Sequence, residues 1–375
     1  MRTGKLIAVL LLAWSVSVCE AQTSRDAARL AGNEPWKTDF SKHAVPLEEI
    51  VSGGPPRDGI PPIDRPRFES VRAANRWLKE RDPVMVVEHG SQVKAYPLAI
   101  LIWHEIVNDV VGGLPVAVTF CPLCNTALVF DRRLEGRLLD FGTTGRLRHS
   151  DLVMYDRQTE SWWQQATGEA IVGALTGTRL RFVPQTTLAW RTARDTYPNL
   201  QVLSRETGHD RDYGRNPYVG YDDRRNSPIA SFFRRDSDPR LPAMERVVAL
   251  ELGKGWAVAF ETMREQRVVN AVVERTPLAV FWQPGAASAL DQGEISRGRD
   301  VGQTAVFDRR LEGRTLTFRA AGGGFQDAET GSRWDLAGRA IAGPLRGKRL
   351  EAIPHGNHFW FAWIVFRPDS QLWTP

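Results

Sequence analysis

Hydrophobic residues in this chain fall mostly in short runs, which Gly, Pro and Asp-Arg-Arg turns separate. The length and alternation of these runs are typical of β-strands. The predicted strands are Val84–Glu88, Pro115–Phe120, Ala127–Asp131 and Leu138–Phe141, followed by Val247–Leu252, Leu278–Trp282, Thr304–Asp308 and Leu316–Arg319. Helices are predicted at Ser70–Glu80, Pro97–Val107 and Thr187–Tyr197. The pattern predicts a mainly β (α+β) protein with short helices.

The sequence contains an internal repeat. The sequence Phe-Asp-Arg-Arg-Leu-Glu-Gly-Arg occurs at 130–137 and again at 307–314. At a constant offset of 162, Val107-Asn108 matches Val269-Asn270. Such self-similarity indicates tandem modules. We therefore divide the chain as follows: irregular leader 22–58, first β-rich module 59–205, long structured connection 206–242, second and degenerate β-rich module 243–368, and tail 369–375.

Residues 1–21 resemble a signal peptide. Arg2 and Lys5 precede the apolar run Leu6–Val18, and Ala21 ends a Cys-x-Ala cleavage sequence. The run is shorter than the roughly 20 residues of a membrane-spanning helix, and no later run is long enough. We expect an exported protein, periplasmic or extracellular, without a transmembrane span after signal removal. Anchoring through an acylated Cys19 or an uncleaved signal is the alternative.

Composition narrows the class of protein. The 375 residues are 42% hydrophobic and 25% charged, which is ordinary for a globular protein. These values exclude a disordered chain, a collagen and a multi-span membrane protein. Lys and Arg (49) exceed Asp and Glu (44) by only five, and no basic run is interleaved with stacking aromatics. Nucleic acid is therefore not an expected partner.

Differences between the two copies point to chemistry in the first. At the offset of 162, His104 corresponds to Gln266, Cys121 to Gln283 and Cys124 to Ala286. Residues shared by both copies serve the scaffold, whereas residues confined to one copy are candidates for a site. The first copy is therefore predicted to carry the chemistry, and the second to be framework or one wall of a cleft.

The spacing of the two cysteines suits a metal ion. Cys121 and Cys124 form a Cys-x-x-Cys pair after a predicted strand, and His104 precedes them by seventeen residues. Two thiolates and an imidazole suit copper or zinc, with copper preferred here. Met154 or His149 is the candidate fourth ligand, and Met154 favours Cu(I). Asp109 or Asp151 would favour zinc instead, or would orient His104.

Two other functions use the same features. The cysteines can belong to a thiol–disulfide oxidoreductase, in which Cys121 or Cys124 is the nucleophile and His104 adjusts its pKa. The residues after Cys124 predict a strand, however, and a thioredoxin fold would place a helix there. Alternatively, the modules form a periplasmic scaffold that presents 206–242 to a protein. The expected partner is a metal ion, a metallochaperone or a redox protein, and the sequence does not decide whether the chain is an enzyme.

Several motifs resemble one known family. They are Trp103-His-Glu-Ile-Val-Asn-Asp, Phe120-Cys-Pro-Leu-Cys-Asn-Thr, Phe141-Gly-Thr-Thr-Gly, Ser150-Asp-Leu-Val-Met-Tyr-Asp-Arg and Thr167-Gly-Glu-Ala-Ile-Val-Gly. The chain is similar over about 58–368 to the bacterial and archaeal domain of unknown function 3179. The resemblance implies export and a joint signature of Trp-His-Glu with Cys-Pro-Leu-Cys, but no activity. Because the family pattern does not require His149, it makes Met154 the better fourth ligand.

Overall fold

The computed structural model describes residues 23–375. The predicted signal and Cys19 lie outside this range. The fold is mainly β, with 38% strand and 14% helix, as predicted. The six short helices are α1 (23–31), α2 (Val71–Ala74), α3 (Leu98–His104), α4 (Trp190–Thr196), α5 (Phe260–Gln266) and α6 (Trp360–Ile364). Every helix in this range falls short of the length and apolarity that a bilayer crossing requires.

Fifteen strands lie between residues 23 and 205. They are β1 (Ile50–Ser52), β2 (Phe68–Ser70), β3 (Pro83–His89), β4 (Gln92–Pro97), β5 (Ile106–Val111), β6 (Leu114–Cys121), β7 (Thr126–Asp131), β8 (Arg133–Leu134), β9 (Arg137–Leu138), β10 (Phe141–Arg148), β11 (Asp151–Asp156), β12 (Trp162–Gln164), β13 (Glu169–Val172), β14 (Thr186–Ala189) and β15 (Gln201–Leu203).

Fourteen strands follow in the second half. They are β16 (Arg246–Leu250), β17 (Trp256–Ala259), β18 (Val268–Val273), β19 (Thr276–Gln283), β20 (Gln303–Asp308), β21 (Arg310–Leu311), β22 (Arg314–Thr315), β23 (Phe318–Ala321), β24 (Gly324–Asp327), β25 (Arg333–Trp334), β26 (Ala340–Ala342), β27 (Glu351–Ala352), β28 (Gly356–Phe359) and β29 (Gln371–Leu372).

The same strand order recurs in the two halves. The order β14-β3-β4-β15 in the first half has the counterpart β28-β16-β17-β29 in the second, and in both only the last pair is parallel. The antiparallel ribbon β5-β6-β7 corresponds to β18-β19-β20, and β10–β13 corresponds to β23–β26. Strand order does not test common ancestry, so the duplication and the module boundaries stay predictions.

Strands of the two halves meet at two places. Strand β14 pairs with β3 of its own half and, at Thr187 opposite Thr304, with β20 of the second half. At the second place, β28 lies against β7, where His358 Nδ1 is 2.9 Å from Thr126 Oγ1. The β6–β7 turn, which carries both cysteines, therefore lies where the two halves meet.

The predicted helices are longer than those observed. Only Val71–Ala74 is helical within Ser70–Glu80, and Thr187–Tyr197 begins as β14 before becoming α4. Helix α3 ends at His104 because Glu105 adopts a left-handed φ of 59°, which reverses the chain into β5. The leader is also more ordered than predicted, since it contains α1 and the edge strand β1.

Candidate metal centre

The two cysteines lie on either side of a single tight turn. Strand β6 ends at Cys121, a 3-10 turn covers Pro122–Cys124, and Asn125 follows in the left-handed region with φ 50°. Asn tolerates this conformation better than most residues. The turn is closed by the pairing of Cys121 with Thr126, the first residue of β7. Both thiols are free and buried.

Asp151 reaches the cysteines from a different hairpin. His149 and Ser150 connect β10 to β11 with positive φ at both residues, which is the backbone of a type I′ hairpin turn. The Cys121 sulfur lies 3.7 Å from Ser150 O. Ligand atoms of Cys121, Cys124 and Asp151 all lie within 4.8 Å of one another. The structure therefore brings together two sulfurs and a carboxylate from two separate turns.

One oxygen of Asp151 is held in place, and the other is free. Oδ1 accepts hydrogen bonds from Gln164 Nε2 at 2.7 Å and from Ala166 N at 2.9 Å. Oδ2 is buried and accepts no N–H or O–H hydrogen bond within residues 23–375, although the weakly donating Cys124 thiol acts on this carboxyl. Buried polar atoms without partners are rare in native proteins and call for an explanation such as an ion. The free oxygen is the natural ligand atom.

A fourth acid, Glu105, lies close enough to act on this cluster electrostatically. Burial, and then the charge of Asp151, raise the pKa of Glu105 to about 8. Burial raises the pKa of Asp151 to about 7. Burial also raises the pKa of Cys121. The pKa of Cys124 is raised well above its ordinary value by burial first, and then by the neighbouring Cys121 and Asp151. Four acidic groups are thus crowded in one buried region, where burial favours their protonated forms in the absence of a cation.

A cation would change the state of all four groups. Metal ligands bind in their deprotonated form, so a dication displaces protons from thiols and carboxyls. The attraction of the ion then replaces the solvation that burial removed. Arg148, the nearest base that acts on Asp151, pairs instead with Glu49 at 2.7 Å. The cluster is therefore suited chemically to hold a metal ion.

The connection 206–242 covers the cluster. Tyr221 donates its hydroxyl to Leu123 O at 3.0 Å, in the middle of the Cys-x-x-Cys turn. Phe232 O accepts the Ser150 N–H at 2.9 Å, beside Asp151. Burial raises the pKa of Tyr218, as do the charges of Glu105 and Cys121. The segment thus touches both turns that form the site and closes it.

His104 is not part of the three-residue cluster, although it was the predicted third ligand. Its Nδ1 lies 2.6 Å from Pro61 O, and its Nε2 lies 2.6 Å from the Tyr213 hydroxyl. A carbonyl only accepts, so Nδ1 carries the proton and Nε2 accepts from Tyr213. Burial lowers the pKa of His104 to about 4, which keeps the ring neutral. The geometry makes His104 an anchor for the connection, and its role as a ligand stays a prediction.

Of the other candidate ligands, His149 and Asp109 are engaged by other residues. Met154 is fully buried in β11 opposite Trp163, in the hydrophobic core that also contains both cysteines, and its role as a ligand stays a prediction. His149 Nε2 lies 3.2 Å from Glu49. Asp109 forms an ion pair with Lys94 at 2.8 Å. Of the imidazole and carboxylate candidates weighed from the sequence, Asp151 is the one that joins the two sulfurs.

Sequence reasoning missed Glu105 and the tyrosines of the connection. A signal for Glu105 was present, because the residue at the offset of 162 is Arg267, a change of charge sign. Adjacent residues were hard to separate, since helix α3 ends between His104 and Glu105 and sends their side chains in different directions. Tyr218 and Tyr221 carried no signal, because nothing in their spacing shows where the connection folds back.

Fold and cluster together define a mainly β protein with a buried Cys/Cys/Asp group that could hold a metal ion. The chain belongs to the family described as "Protein of unknown function (DUF3179)", whose match covers residues 57–370. No curated protein and no solved structure matches the chain.

Proposed function

We propose that this protein holds one divalent metal ion, zinc in preference to copper, through Cys121, Cys124 and Asp151. Glu105 or a water molecule supplies the fourth position. The observation that carries the proposal is the convergence of two thiols and a carboxylate within 4.8 Å in a fully buried place. Zinc in proteins prefers such four-coordinate sets of sulfur, nitrogen and oxygen ligands.

The identity of the third ligand decides between the two metals. A thioether from Met154 would favour Cu(I), because soft ligands select that ion. The Asp151 carboxylate beside the two sulfurs supports the other choice, because carboxylates suit harder ions such as Zn²⁺. The preference for copper that the sequence suggested is therefore reversed in the proposal.

The proposed ion is retained rather than freely exchanged. It would tie the β6–β7 turn to the β10–β11 hairpin, and the connection 206–242 covers both. A metal that binds only the folded chain stabilises it by about 2.7 kcal/mol at a concentration one hundred times its Kd. Export through residues 1–21, followed by loading from free zinc or from a metallochaperone, belongs to the same proposal.

Thiol–disulfide exchange is less well supported. The attacking species in that chemistry is a thiolate, and catalytic cysteines have lowered pKa values. Burial does the reverse here by raising the pKa of both thiols. A redox partner would also have to displace the connection to reach either sulfur.

Elemental analysis of the purified full-length chain tests the proposal. We expect about one zinc per chain in the wild type and a loss of zinc in the Cys121→Ser/Cys124→Ser variant. Gln283→Ser, at the position that corresponds to Cys121, is the matched control and should retain the metal. Equal metal content in the double cysteine variant and the wild type would refute the site.

A further inference from the structure

A second candidate site lies between the two halves, in a cavity of about 350 Å³. Leu128 and Phe182 line it from the first half, and Leu252, Ile353 and Trp363 line it from the second. Its volume and its apolar walls are those of a pocket for a small organic molecule. The cysteines do not line this cavity, so it is separate from the metal cluster.

A hydrogen-bond chain fixes the proton positions on His358, which also lines the cavity. The Thr126 hydroxyl donates its single proton to Cys124 O at 3.3 Å. Because Cys124 O can only accept, both contacts of this hydroxyl are satisfied when His358 Nδ1, 2.9 Å away, donates to it, and we assign the proton accordingly. Because Nδ1 carries the proton, Nε2 is a lone-pair acceptor, and no residue within 23–375 donates to it. The side chain is 1% exposed.

A neighbouring histidine has the same arrangement. His355 Nδ1 donates to Ile353 O at 2.9 Å, and its Nε2 is buried without a partner in the described part of the chain. Burial lowers the pKa of His355 to about 4 and that of His358 to about 3. Both rings are therefore neutral at physiological pH and offer acceptors only.

The charged residues around the cavity are already paired. Arg179 forms an ion pair with Glu251, and Arg181 pairs with Asp131 at 2.6 Å. Both lining arginines are therefore engaged by carboxylates, Arg181 is 70% exposed towards solvent, and the two histidines are neutral. The cavity thus favours an uncharged molecule over an anion or a cation.

We propose that this cavity binds a small, uncharged, largely apolar molecule that donates one hydroxyl or N–H group to His358 Nε2. The apolar body of the ligand would lie against Leu128, Phe182 and Trp363. A binding site built to pair with a donor discriminates against an analogue that lacks it, because its own acceptor is then left unpaired. The proposal does not depend on the metal.

Indole and indene form a matched pair of probes, because they share one bicyclic shape and only indole carries an N–H. Titration calorimetry on the full-length chain should show that indole binds at least about tenfold more tightly than indene, which is a difference of about 1.4 kcal/mol. His358→Phe should remove this preference while keeping the cavity apolar. Leu252→Trp should weaken both probes by filling the space, and His43→Phe, a histidine outside the cavity, should change neither.

Several results would overturn the proposal. They are equal affinity for the two probes, absence of binding by both, and a preference for indole that survives in His358→Phe. Zinc content is measured on the same samples. A variant that loses the indole preference but retains zinc separates failure of this proposal from failure of the metal site.

Discussion

The Cys-x-x-Cys turn and its counterpart in the second half occupy equivalent places but have different chemistry. In the first half the Cys121 sulfur contacts the β10–β11 turn at Ser150 O. In the second half Gln283, at the offset of 162, donates to Gly323 O in the β23–β24 turn at 2.7 Å. The same two turns therefore meet in both halves, through a sulfur in one and an ordinary amide hydrogen bond in the other.

The four acidic groups that form the cluster in the first half all have non-acidic counterparts in the second half. Cys121, Cys124 and Glu105 correspond to Gln283, Ala286 and Arg267, and Asp151 corresponds to Gly322 when Asp156 is aligned with Asp327. Arg267 stacks its guanidinium 5.2 Å from the centre of the Trp282 ring. The second half thus needs no cation at this place, which is why we regard the acid cluster as a site and not as part of the scaffold.

Other contacts are nearly identical in the two halves. Asn108 exchanges two hydrogen bonds with the backbone of Phe141, at 2.8 and 2.9 Å, and Asn270 does the same with Phe318 at the same distances. The Trp163 indole donates to Asp156, as Trp334 does to Asp327. These pairs form the common scaffold, against which the acid cluster stands out.

The largest expected difference between the two halves is the effect on zinc affinity of replacing the metal ligand or its counterpart. Asp151→Asn should lower zinc affinity by at least the 10–100-fold that loss of an outer partner of a metal site usually costs. Gly322→Asn, at the corresponding place, should leave it unchanged, since Asn tolerates the positive φ there. Competition with a chromophoric chelator measures both. An unchanged affinity in Asp151→Asn would remove Asp151 from the site.

Mutation of the scaffold should affect both halves alike. Asn108→Ala and Asn270→Ala each leave one backbone N–H and one C=O without a partner, which costs about 1–3 kcal/mol of stability. Urea unfolding of the zinc-loaded chain, followed by tryptophan fluorescence, measures the loss. If only one of the two variants is destabilised, the scaffold is not shared in the way described here.

The pH dependence of the metal-free protein should report on the acid cluster. Groups whose pKa is raised in the folded state favour folding when protonated, so their contribution is lost as the pH rises through that pKa. With Asp151 at about 7 and Glu105 at about 8, these two carboxyls should lower stability between pH 7 and 8, by about 1.4 kcal/mol in total. His104, His149, His355 and His358 have folded pKa values of about 3 to 4, so the stability that they add rises with pH up to their unfolded value of about 6.5 and is mostly complete above pH 7.

Two matched variants test whether Glu105 causes the fall of stability with pH. Glu105→Gln should flatten the fall in stability after metal is removed with a chelator, whereas Arg267→Gln should preserve it. Chemical denaturation at each pH gives the free energies. A slope that persists unchanged in Glu105→Gln would mean that the acid cluster is not its source.

The smallest effect is expected from a substitution in the connection 206–242, and it concerns the rate of zinc release. Tyr213→Phe removes the hydroxyl that lies 2.6 Å from His104 Nε2, a loss of about 0.5–1.5 kcal/mol in local stability. Zinc should then pass to an excess of chelator roughly 2–10 times faster, because the cover opens more often. Tyr197→Phe, outside the connection, is the control. An equal rate in wild type and Tyr213→Phe would show that His104 does not hold the cover.

Much of the scaffold could be predicted from local pattern. The strands predicted at Pro115–Phe120 and Ala127–Asp131 are observed as Leu114–Cys121 and Thr126–Asp131, because long apolar runs between turn residues leave little choice. The single strand predicted at Leu138–Phe141 was wrong, because this run spans the end of β9 and the start of β10. The helices were overextended because their ends depend on tertiary context, as the left-handed Glu105 shows.

The site could be predicted only in part. Comparison of the two copies singled out Cys121 and Cys124 correctly as a close pair. Which side chain would join them depended on a hairpin turn at His149–Ser150 with two positive φ values, for which the sequence contains no glycine. His104 was predicted as a ligand because it lies near the cysteines along the chain. In the folded protein, Asp151 is the residue that lies close to both sulfurs.

X-ray absorption spectroscopy of the zinc-loaded full-length chain tests the central claim most directly. We predict two sulfur neighbours at about 2.3 Å and oxygen neighbours at about 2.0–2.2 Å, without the outer-shell scattering of an imidazole ring. A spectrum without sulfur, or one that shows histidine bound to the metal, would contradict a site formed by Cys121, Cys124 and Asp151.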